Sequence, residues 1–388
     1  MRFNELDINS KLNRKIVELG FYKLTPIQEK CIPDVSIGRD IAGQSKTGSG
    51  KTLAFAIPII DKIRSGNGIQ TVVLTPTREL CVQVSQVFRE LGLILGLKVT
   101  SIFGGVGIEP QIRSLQNSEI VVGTPGRMLD HIRRKTIDFR AMRFLVIDEI
   151  DKLFEMGFID DVEEIISYVP KNRQTLMFSA TMQNDLLRIM SKHLKNPLIV
   201  KADSYVETSK LKQLYYDIYN KKNKFSLLVH LIRKNDKGMS IVFCSTRSQV
   251  DLVARNLKNQ GLRACAIHGG MTQKKRLSSL DLLQKQNTDI LVATDVAARG
   301  LDIKNVTHIY NYDVPKTPKE YIHRVGRTAR AGENGNAITL LTKPDHDNFR
   351  RVQSNDNLKI HRANMPDFKS IPFIIRKTYS KNKNYRYR

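Results

Sequence analysis

The fold is decided by the stretch Phe144-Leu145-Val146-Ile147-Asp148-Glu149-Ile150-Asp151. Its four apolar residues predict a buried strand. The acids follow at the point where open α/β sheets bind ligands, beyond the carboxyl ends of the strands. An acidic tetrapeptide alone is more often the first turn of a helix, which favours negative charge. A functional interpretation therefore requires further residues of the site elsewhere in the chain.

A glycine-rich loop supplies the next part of the site. The sequence Gly43-Gln44-Ser45-Lys46-Thr47-Gly48-Ser49-Gly50-Lys51-Thr52 follows a predicted strand. In such a turn the backbone amides bind phosphates, Lys51 reaches the terminal phosphates and the Thr52 hydroxyl binds Mg²⁺. The strict P-loop pattern requires Gly at position 45, where this chain has Ser. A turn without function is the alternative, but the flanking elements favour a nucleotide site. Its predicted contacts are Ser45, Thr47, Gly48, Ser49, Gly50, Lys51 and Thr52.

The remaining catalytic parts are acids and cations. Asp148 is the predicted second partner of Mg²⁺, and Glu149 is placed to orient or deprotonate the attacking water. Phosphoryl transfer also needs a cation for the charge that develops. Arg327 and Arg330 are three residues apart, so they share a face if their segment is helical. We predict that both act as arginine fingers from another domain and that His323 belongs to the same catalytic group.

The composition indicates the class of protein. The 388 residues suggest two domains, and the net charge of +25 points to a polyanion such as nucleic acid. A solvated basic surface is the alternative. No apolar run approaches the roughly 20 residues of a membrane span, and the N-terminus lacks the features of a signal peptide. The cysteines show no metal-like spacing, which fits a reducing cytosol, so we predict a cytoplasmic protein.

Both halves of the chain alternate strand and helix patterns, which predicts α/β domains with mostly parallel sheets and helices on both faces. In the first half the predicted strands are 40–42, 71–74, 99–102, 120–122, 144–147 and 175–178. In the second half they are 240–243, 264–267, 289–293, 307–310 and 337–340. We predict a first domain at 1–203, a polar linker at 204–212, a second domain at 213–366 and a mobile basic tail at 367–388.

Taken together, these residues resemble the DEAD-box family of RNA helicases. Several independent motifs occur in the family's order, which is more specific than any one of them. The Q motif is matched by Gly20-Phe21 and Thr25-Pro26-Ile27-Gln28, motif I by the glycine-rich loop, and the family's name motif by residues 148–151, with Ile150 in place of Ala. The resemblance implies two tandem RecA-like domains that hydrolyse ATP with Mg²⁺ and bind RNA.

The resemblance also implies roles for further residues around the nucleotide. Gln28 would read the adenine edge, and Phe3 would stack on adenine, with packing in the core as the alternative for Phe3. The hydroxyls of Ser179 and Thr181 would hydrogen-bond to Asp151 and couple hydrolysis to domain movement, with helix capping as the alternative. In the second half, the residues implied at the nucleotide are Arg299 near the γ-phosphate, Gly300, and Asp302 at the ribose.

A nucleic-acid track is indicated by loops that carry glycines, hydroxyls and arginines at expected strand ends. Backbone amides, hydroxyls and guanidinium groups suit phosphate oxygens, although each loop alone is more often a helix cap or turn. By resemblance the RNA contacts of the first domain are Thr77, Arg78, Gly105, Thr124 and Arg127. Those of the second are Thr246, Arg247, Gly269, Arg276, Thr294 and Asp295. Such contacts carry no base information, so we expect little sequence specificity, with RNA preferred through its shape and 2′-hydroxyls.

We predict an ATP-dependent RNA helicase in which RNA stimulates ATP hydrolysis and two domains close on single-stranded RNA. Closure would separate short duplexes locally or remodel RNA–protein complexes. One alternative is an RNA clamp that binds ATP but rarely turns over; the intact Glu149, Arg327 and Arg330 argue against it. The other is a DNA-unwinding translocase, against which the Q motif argues. We expect a monomer whose basic tail either adds salt-dependent RNA affinity or is only solvated.

Overall fold

The computed structural model describes residues 1–45, 48–182, 184–201, 211–235, 238–298, 301, 303, 305–329, 334–355 and 358–375. The chain divides into two compact units. The first contains Met1–Tyr205, and the second contains Val206–Arg299 and Ile303–Arg388. Every helix within the described ranges is too short or too polar to cross a membrane.

The first unit is a parallel sheet with helices on both faces. Its strands are β1 (Ile41–Gln44), β2 (Thr71–Leu74), β3 (Val99–Ile102), β4 (Ile120–Gly123), β5 (Phe144–Ile147), β6 (Gln174–Ser179) and β7 (Leu198–Lys201). Its α-helices are α1 (Ser10–Glu18), α2 (Pro26–Ser36), α3 (Lys51–Lys62), α4 (Arg78–Gly92), α5 (Glu109–Leu115), α6 (Pro125–Arg133), α7 (Ile150–Glu155), α8 (Ile159–Tyr168) and α9 (Asn184–His193). Short 3-10 helices span Phe3–Glu5 and Leu93–Leu95.

The strands of this sheet are parallel and run in the order β3-β4-β2-β5-β6-β1-β7. The central strands are buried along their whole length, as expected when helices cover both faces. Successive residues of β2 enter separate apolar cores, because side chains alternate between the two faces. Val73 packs with Phe55 and Phe178 on one face, while Val72 packs with Met128 on the other.

The second unit repeats this architecture. Its strands are β8 (Leu211–Ile218), β9 (Met239–Phe243), β10 (Ala264–Ile267), β11 (Ile290–Ala293), β12 (Val306–Asn311), β13 (Gly335–Thr342) and β14 (His361–Arg362). Its α-helices are α10 (Asn223–Lys234), α11 (Arg247–Asn259), α12 (Gln273–Gln284), α13 (Asp295–Ala298), α14 (Pro318–Val325) and α15 (His346–Gln353), with a 3-10 helix at Lys343–Asp345.

The two sheets have the same strand order. The second is β10-β11-β9-β12-β13-β8-β14, which is the order of the first with seven added to each strand number. The loops that follow β2, β3 and β4 in the first unit therefore have structural counterparts after β9, β10 and β11 in the second. Each of these loops lies at the same edge of its own sheet as its counterpart in the other unit.

Each predicted strand is present, with ends that differ by at most two residues. Three strands were not predicted, for physical reasons. Strand β7 lies at an edge and is partly exposed, and β14 has only two residues, both exposed. Strand β8 mixes polar and apolar residues without a long apolar run. An edge position or a short length weakens the apolar pattern on which strand prediction depends.

The predicted linker is too long at its carboxyl end. Strand β8 begins at Leu211, which is in register with Gly335 of β13, so 211–212 belong to the second sheet. Strand β8 lies between β13 and β14 and is therefore an interior strand. The strand was not predicted because Lys212 and Gln213 interrupt the apolar pattern of this segment. The rest of the predicted linker, residues 204–210, lies outside the described residues.

The predicted mobile tail is wrong for residues 367–375. Phe368, Ile371 and Phe373 pack against the apolar core of the second unit. The amide of Ile371 donates to Oγ of Ser226 at 2.9 Å, which fixes the segment to α10. The apolar residues of this segment bury against helices that are distant in sequence, so the local positive charge was a poor guide. Residues 376–388 of the predicted tail lie outside the described part of the chain.

Candidate functional site

The glycine-rich loop connects β1 to α3 and is shaped by left-handed glycines. Gly48 has a φ of 82° and Gly50 a φ of 91°, a conformation that other residues rarely adopt. A Cβ atom at Gly50 would lie 2.4 Å from Nε2 of Gln28, so a side chain here would displace that amide. Gly50 is the N-cap of α3 and has no capping side chain, so the first helical amides suit a phosphate. Lys46 and Thr47 lie outside the described residues.

The conformation and contacts of Ser45 explain why the loop accepts serine where the strict P-loop pattern has glycine. Its backbone lies outside the left-handed region, so the position does not require glycine. Its amide donates to the carbonyl of Ser179 at 2.9 Å, and its Oγ lies 2.8 Å from Oγ of Ser49. Its carbonyl accepts a hydrogen bond of 2.7 Å from Nζ of the buried Lys51. Ser45 therefore stabilises the loop through contacts with Ser49 and Lys51. Lys51 and Thr52 are the first two residues of α3.

The two acids stand directly beyond β5. The amide of Asp148 still donates to Leu74 of β2 at 2.9 Å, so this residue continues the sheet. Its Oδ1 accepts from the amide of Glu149 at 2.9 Å. Glu149 has a φ of 52°, which is an uncommon left-handed conformation for a residue with a side chain, and it forms the N-cap of α7. Such local strain is typical of functional sites, where the surrounding structure maintains it.

Burial raises the pKa of Asp148 to about 6. The positive charge of Lys51 opposes this effect, while the neighbouring Glu149 adds to it. The charges of Lys51 and Lys152 therefore do not fully offset the cost of burying this carboxylate. A divalent cation that prefers oxygen ligands would supply further positive charge. This is the observation by which Asp148 fits the predicted Mg²⁺ site.

We predict that Asp148→Asn stabilises the protein at pH 8 although it removes the activity. A raised pKa means that the folded state favours the neutral side chain, so ionisation above pH 6 costs stability and a neutral amide avoids that cost. The gain is at most about 3 kcal/mol in the absence of Mg²⁺ and nucleotide. It should vanish only below the ordinary pKa of 3.8, where Asp148 is neutral both in the folded and in the unfolded state. Urea unfolding at several pH values measures it.

The control for this prediction is Asp7→Asn, at an exposed position outside the helices. It should leave the stability unchanged at pH 8. If Asp148→Asn lowered the free energy of unfolding equally at pH 5 and pH 8, the burial of an uncompensated charge at Asp148 would be contradicted.

Glu149 is ion-paired with a residue that the sequence reasoning missed. Nζ of Lys152 lies 2.5 Å from Oε2 of Glu149, and both side chains are buried. The positions are three apart on α7, a spacing at which helical side chains meet. The three-residue spacing could have indicated this ion pair in the sequence. A lysine that directly follows the motif at 148–151 would, however, usually be expected to lie on the surface. Here the surrounding core buries it next to the predicted catalytic glutamate.

Asp151 joins the loop after β6 to the acids after β5, as predicted. Its Oδ2 accepts from the amides of Ala180 and Thr181, both at 3.2 Å, and from the Thr181 hydroxyl at 3.3 Å. The prediction that the Ser179 hydroxyl bonds to Asp151 is wrong. Oγ of Ser179 donates instead to the carbonyl of Thr181 at 2.5 Å and so shapes the loop from within.

Gln28 lies beside the glycine-rich loop, at the start of α2. Its Oε1 accepts from the amide of Thr25 at 2.8 Å, and its Nε2 donates to the carbonyl of Gly50 at 3.1 Å. The side chain is buried. Gln28 therefore connects the first turn of α2 to the nucleotide loop. Each of its two polar atoms retains one further hydrogen-bonding position, which leaves the predicted contact with adenine chemically possible.

The ring of Phe3 is buried in the first unit, which disagrees with the predicted stacking on adenine. Its side chain is 1% exposed and lies in the core of the first unit. Its ring meets the edge of Phe21, with centroids 6.4 Å apart. Phe21 is the more accessible of the two, with 37% of its surface exposed. The alternative of a packing aromatic is the correct one for Phe3, because the short 3-10 helix that carries it turns its ring inward.

Ile150 is fully buried in the core beneath the acids. It belongs to the same apolar cluster as Leu153 of α7 and Ile147 of β5. A larger apolar residue than alanine therefore fills space inside the sheet–helix interface and does not face the nucleotide loop. The substitution in the name motif concerns packing and leaves the acids in place.

The loops of the predicted RNA track in the first unit contact one another. Thr77 caps α4 by accepting from the amide of Leu80 at 3.2 Å. The guanidinium of Arg78 lies over Gly105, where a Cβ atom would be 2.3 Å from it and where φ is 81°. Beyond β4, Thr124 is the N-cap of α6, and Nη2 of Arg127 donates to the carbonyl of Val106 at 3.2 Å. The loops after β2, β3 and β4 thus form one connected edge of the sheet.

The second unit repeats the first of these contacts. Thr246 caps α11 by accepting from the amide of Gln249 at 3.2 Å. The guanidinium of Arg247 lies against the exposed Gly269, 3.5 Å from where a Cβ atom would stand. Arg276 is in the first turn of α12, and the carbonyl of Thr294 begins α13 by accepting from Ala298 at 3.0 Å. These predicted RNA residues again follow β9, β10 and β11.

Asp295 forms an ion pair that its predicted role as an RNA contact did not include. Its two carboxylate oxygens accept from Nε and Nη2 of Arg324 at 2.6 and 2.8 Å. Arg324 is buried and also donates to the carbonyl of Asp313 at 2.6 Å. Its guanidinium lies 5.1 Å from the centroid of the Phe243 ring. The pair therefore connects α14 to the segment that follows β11.

Arg327, one of the two predicted arginine fingers, lies beyond the end of α14. Helix α14 ends at Val325 with Gly326 as its C-cap, and Ala329 has a left-handed φ of 53°. Arg327 lies in the turn that follows and is buried, while His323 is on the last turn of α14. The prediction that helical spacing places Arg327 and Arg330 on one face is therefore wrong. Their predicted role as arginine fingers does not depend on that spacing. Four predicted residues of the second half lie outside the described part: Arg299, Gly300, Asp302 and Arg330.

Comparison with family models gives two matches that follow each other along the chain. Residues 25–189 match the DEAD/DEAH box helicase model. Residues 223–332 match the helicase conserved C-terminal domain. The glycine-rich loop and the acids fall in the first match, and the segment with Arg327 falls in the second.

Individual proteins give the same picture. The chain is 42% identical over 367 residues to the ATP-dependent RNA helicase CshA of Listeria monocytogenes, covering 94% of this chain and 71% of that protein. It is 43% identical to the DEAD-box ATP-dependent RNA helicase CshA of Bacillus subtilis, covering 94% and 74%. Among solved structures, S. cerevisiae Dbp5 bound to RNA and ADP BeF3 matches with a TM-score of 0.82 and 30% identity, covering 93% and 95%. This likeness confirms the predicted fold class of two tandem RecA-like domains.

Proposed function

Because this chain belongs to the DEAD-box family of ATP-dependent RNA helicases, we propose that the site at the ends of β1, β5 and β6 couples ATP hydrolysis to the remodelling of RNA. One observation carries this proposal. Strand β6 lies between β5 and β1 in the sheet. The acids, the loop at 179–181 and the glycine-rich loop therefore meet at one edge, where open α/β sheets bind ligands.

ATP would be held by the start of α3. The left-handed glycines and uncapped amides suit the phosphates, and Lys51 would exchange its bond to the Ser45 carbonyl for phosphate oxygens. Gln28, already bonded to Gly50, would read the adenine edge. Mg²⁺ would be held by Asp148 and Thr52, and when bound it neutralises charge on the phosphates. Asp148 fits this role because the cost of burying its carboxylate exceeds what Lys51 and Lys152 offset.

Glu149 is the residue that we assign to the attacking water. It directly follows the predicted metal ligand, and its left-handed backbone fixes the side chain at the N-terminus of α7. To act on a water, one carboxylate oxygen must orient the molecule and take up its proton as the water attacks. The other oxygen can keep its bond to Lys152, which would hold the carboxylate in place.

We assign Arg327 and Arg330 to the charge that develops on the γ-phosphate, with His323 beside them. These arginines belong to the second unit, while Lys51, Asp148 and Glu149 belong to the first. Hydrolysis would therefore require both units, and RNA bound by both would favour the arrangement in which they cooperate. An arginine supplied to a phosphoryl-transfer site accelerates the reaction by about 10³–10⁵.

Coupling between the nucleotide and RNA would run through Asp151. The same carboxylate oxygen holds the amides at 180 and 181, and Ser45 of the nucleotide loop bonds to the carbonyl of Ser179. A change at the phosphates can therefore reach the loop after β6 through two direct contacts. The RNA itself would bind through its backbone at the loops after β2, β3, β4 and their counterparts.

RNA-stimulated ATP hydrolysis tests the proposed function. We expect single-stranded RNA to raise the ATPase rate of the full chain at least tenfold, a difference of about 1.4 kcal/mol in activation free energy. DNA of the same sequence should stimulate much less, because it lacks the 2′-hydroxyls. Equal stimulation by DNA would favour the DNA translocase. ATP binding without multiple turnover would favour the RNA clamp.

We further propose that the protein works in a reducing cytoplasm. Cys31, Cys81, Cys244 and Cys265 are all free and buried. Burial raises the pKa of Cys81 to about 12 and that of Cys265 to about 11, which keeps both as unreactive thiols. Cell fractionation followed by immunoblotting would test this location.

A further inference from the structure

The loop after β10 is held by a histidine and an aspartate that are not among the predicted ATP or RNA contacts. Nδ1 of His268 accepts a hydrogen bond of 3.1 Å from the amide of Gly270. Nε2 of the same ring lies 3.0 Å from Oδ1 of Asp251. His268 is almost fully buried, while the Asp251 side chain is 64% exposed. The ring thus links the loop to α11, the helix that begins with Arg247.

The two contacts fix the state of the imidazole. A backbone amide can only donate, so Nδ1 must be the unprotonated nitrogen. Nε2 then carries the hydrogen and donates it to the carboxylate of Asp251. A carboxylate partner of this kind sets both the tautomer and the orientation of a histidine ring. Asp251 therefore determines that Nδ1 is available to hold Gly270.

The held loop is the one that lies against Arg247. Asp251 is four residues beyond Arg247 on α11, so the two are on the same face of the helix. A Cβ atom at Gly270 would lie 3.3 Å from Nδ1 of His268 and 3.3 Å from Cδ of Arg247. The glycine is thus packed between the histidine ring and the arginine. The position of the ring decides the position of the loop relative to the guanidinium.

The first unit lacks this arrangement at the equivalent place. Because the sheets share one strand order, the position of His268 after β10 corresponds to Phe103 after β3. Phe103 packs in the apolar core. There the second glycine has a φ of 81°, whereas Gly270 does not adopt a left-handed conformation. The first unit therefore fixes its loop by backbone geometry and apolar packing, and the second by polar contacts through a histidine.

We propose that His268 and Asp251 are positioning residues for RNA, and that they hold Gly269 and Gly270 at the distance from Arg247 that a backbone phosphate requires. This inference rests on the proposed function, since it deepens the RNA site of the second unit. Neither residue needs to touch RNA. Loss of either contact lets the loop move relative to α11, so RNA binds more weakly while the ATP site in the first unit is unaffected.

The experiment measures the RNA concentration that half-saturates ATPase stimulation, together with the rate at saturating RNA. We expect Asp251→Ala and His268→Phe to raise the half-saturating concentration about fivefold or more, the factor typical of one lost hydrogen bond, with the saturated rate preserved. Asp251→Asn should restore near wild-type values, because its amide oxygen still accepts from Nε2. His268→Phe separates the loss of the hydrogen bonds from a loss of packing, because phenylalanine fills the equivalent position of the first unit.

The matched control is Asp217→Ala, which breaks another histidine–aspartate pair of the same unit. Oδ1 of Asp217 lies 3.2 Å from Nε2 of His346, away from the loop after β10. It should leave the RNA dependence unchanged. Unchanged half-saturation in both Asp251→Ala and His268→Phe would overturn the proposal, as would an equal shift in Asp217→Ala. If RNA failed to stimulate the wild-type protein, the proposed function itself would be wrong, and that outcome is separate.

Discussion

Glu149→Gln is expected to lower the RNA-stimulated rate of ATP hydrolysis by roughly 10²–10⁴-fold, the usual contribution of a general base. Glutamine has nearly the same volume and can occupy the same left-handed N-cap position of α7. Its amide cannot accept a proton from the attacking water. ATP binding should persist, because the phosphates are held by the glycine-rich loop and Lys51. Single-turnover hydrolysis measures the chemical step, and titration with a fluorescent ATP analogue measures binding.

The control is Glu164→Gln, which changes an exposed ion pair with Arg133 on the surface of α8. It should hydrolyse ATP at the wild-type rate. Thermal unfolding of Glu149→Gln separates a catalytic effect from a folding defect, since Lys152 loses a buried carboxylate partner. A folded Glu149→Gln protein that hydrolysed ATP at the wild-type rate would show that another residue acts on the water.

Arg327→Ala should reduce the turnover rate by about 10³-fold or more at saturating ATP and RNA. The residue lies in the second unit, so its loss leaves the glycine-rich loop, Asp148 and Glu149 unchanged. The effect should appear in kcat, because the guanidinium acts on charge that develops only as the phosphate bond breaks. Steady-state kinetics with both ligands saturating measure it. Arg327→Lys should recover only part of the rate, since a single ammonium lacks the planar donor array.

Arg350→Ala is the matched control in the same unit. Arg350 is exposed on α15 and lies 3.6 Å from Asp347 in an ion pair on the surface. Its removal should not change turnover. Because Arg327 is buried, thermal unfolding must show that the second unit of Arg327→Ala remains folded. A folded variant with turnover within a few-fold of the wild type would exclude Arg327 from the reaction.

The candidate site illustrates where sequence reasoning succeeds. The order of strands and loops is local information, since each strand is a short apolar run and each functional loop follows one directly. In a parallel sheet all such loops reach the same edge, so the glycine-rich loop, the acids and residues 179–181 could be brought together without coordinates. The family resemblance implied the hydrogen bond from the Thr181 hydroxyl to Asp151, whereas the bonds from the amides of residues 180 and 181 were not predicted.

Other assignments failed because they depended on contacts that are distant in sequence. Phe3 was taken for a stacking residue, but its exposure depends on how the N-terminal segment folds onto the first unit. Asp295 carries a charge that suits many roles, and only the structure pairs it with Arg324, 29 residues further on. The segment at 367–375 looks like part of a basic tail until its apolar residues meet α10 and α11.

The sequence by itself determined the family, the two α/β units and the residue types of the ATP and RNA sites, because these depend on short motifs and on strand and helix periodicity. Only the tertiary structure decided which charges are buried and what they face. It placed Lys152 against Glu149, raised the pKa of Asp148 and joined His268 to Asp251 beside Arg247. The physical reason is that burial and hydrogen-bond partners are set by elements packed from distant parts of the chain, and a linear pattern does not contain those distances.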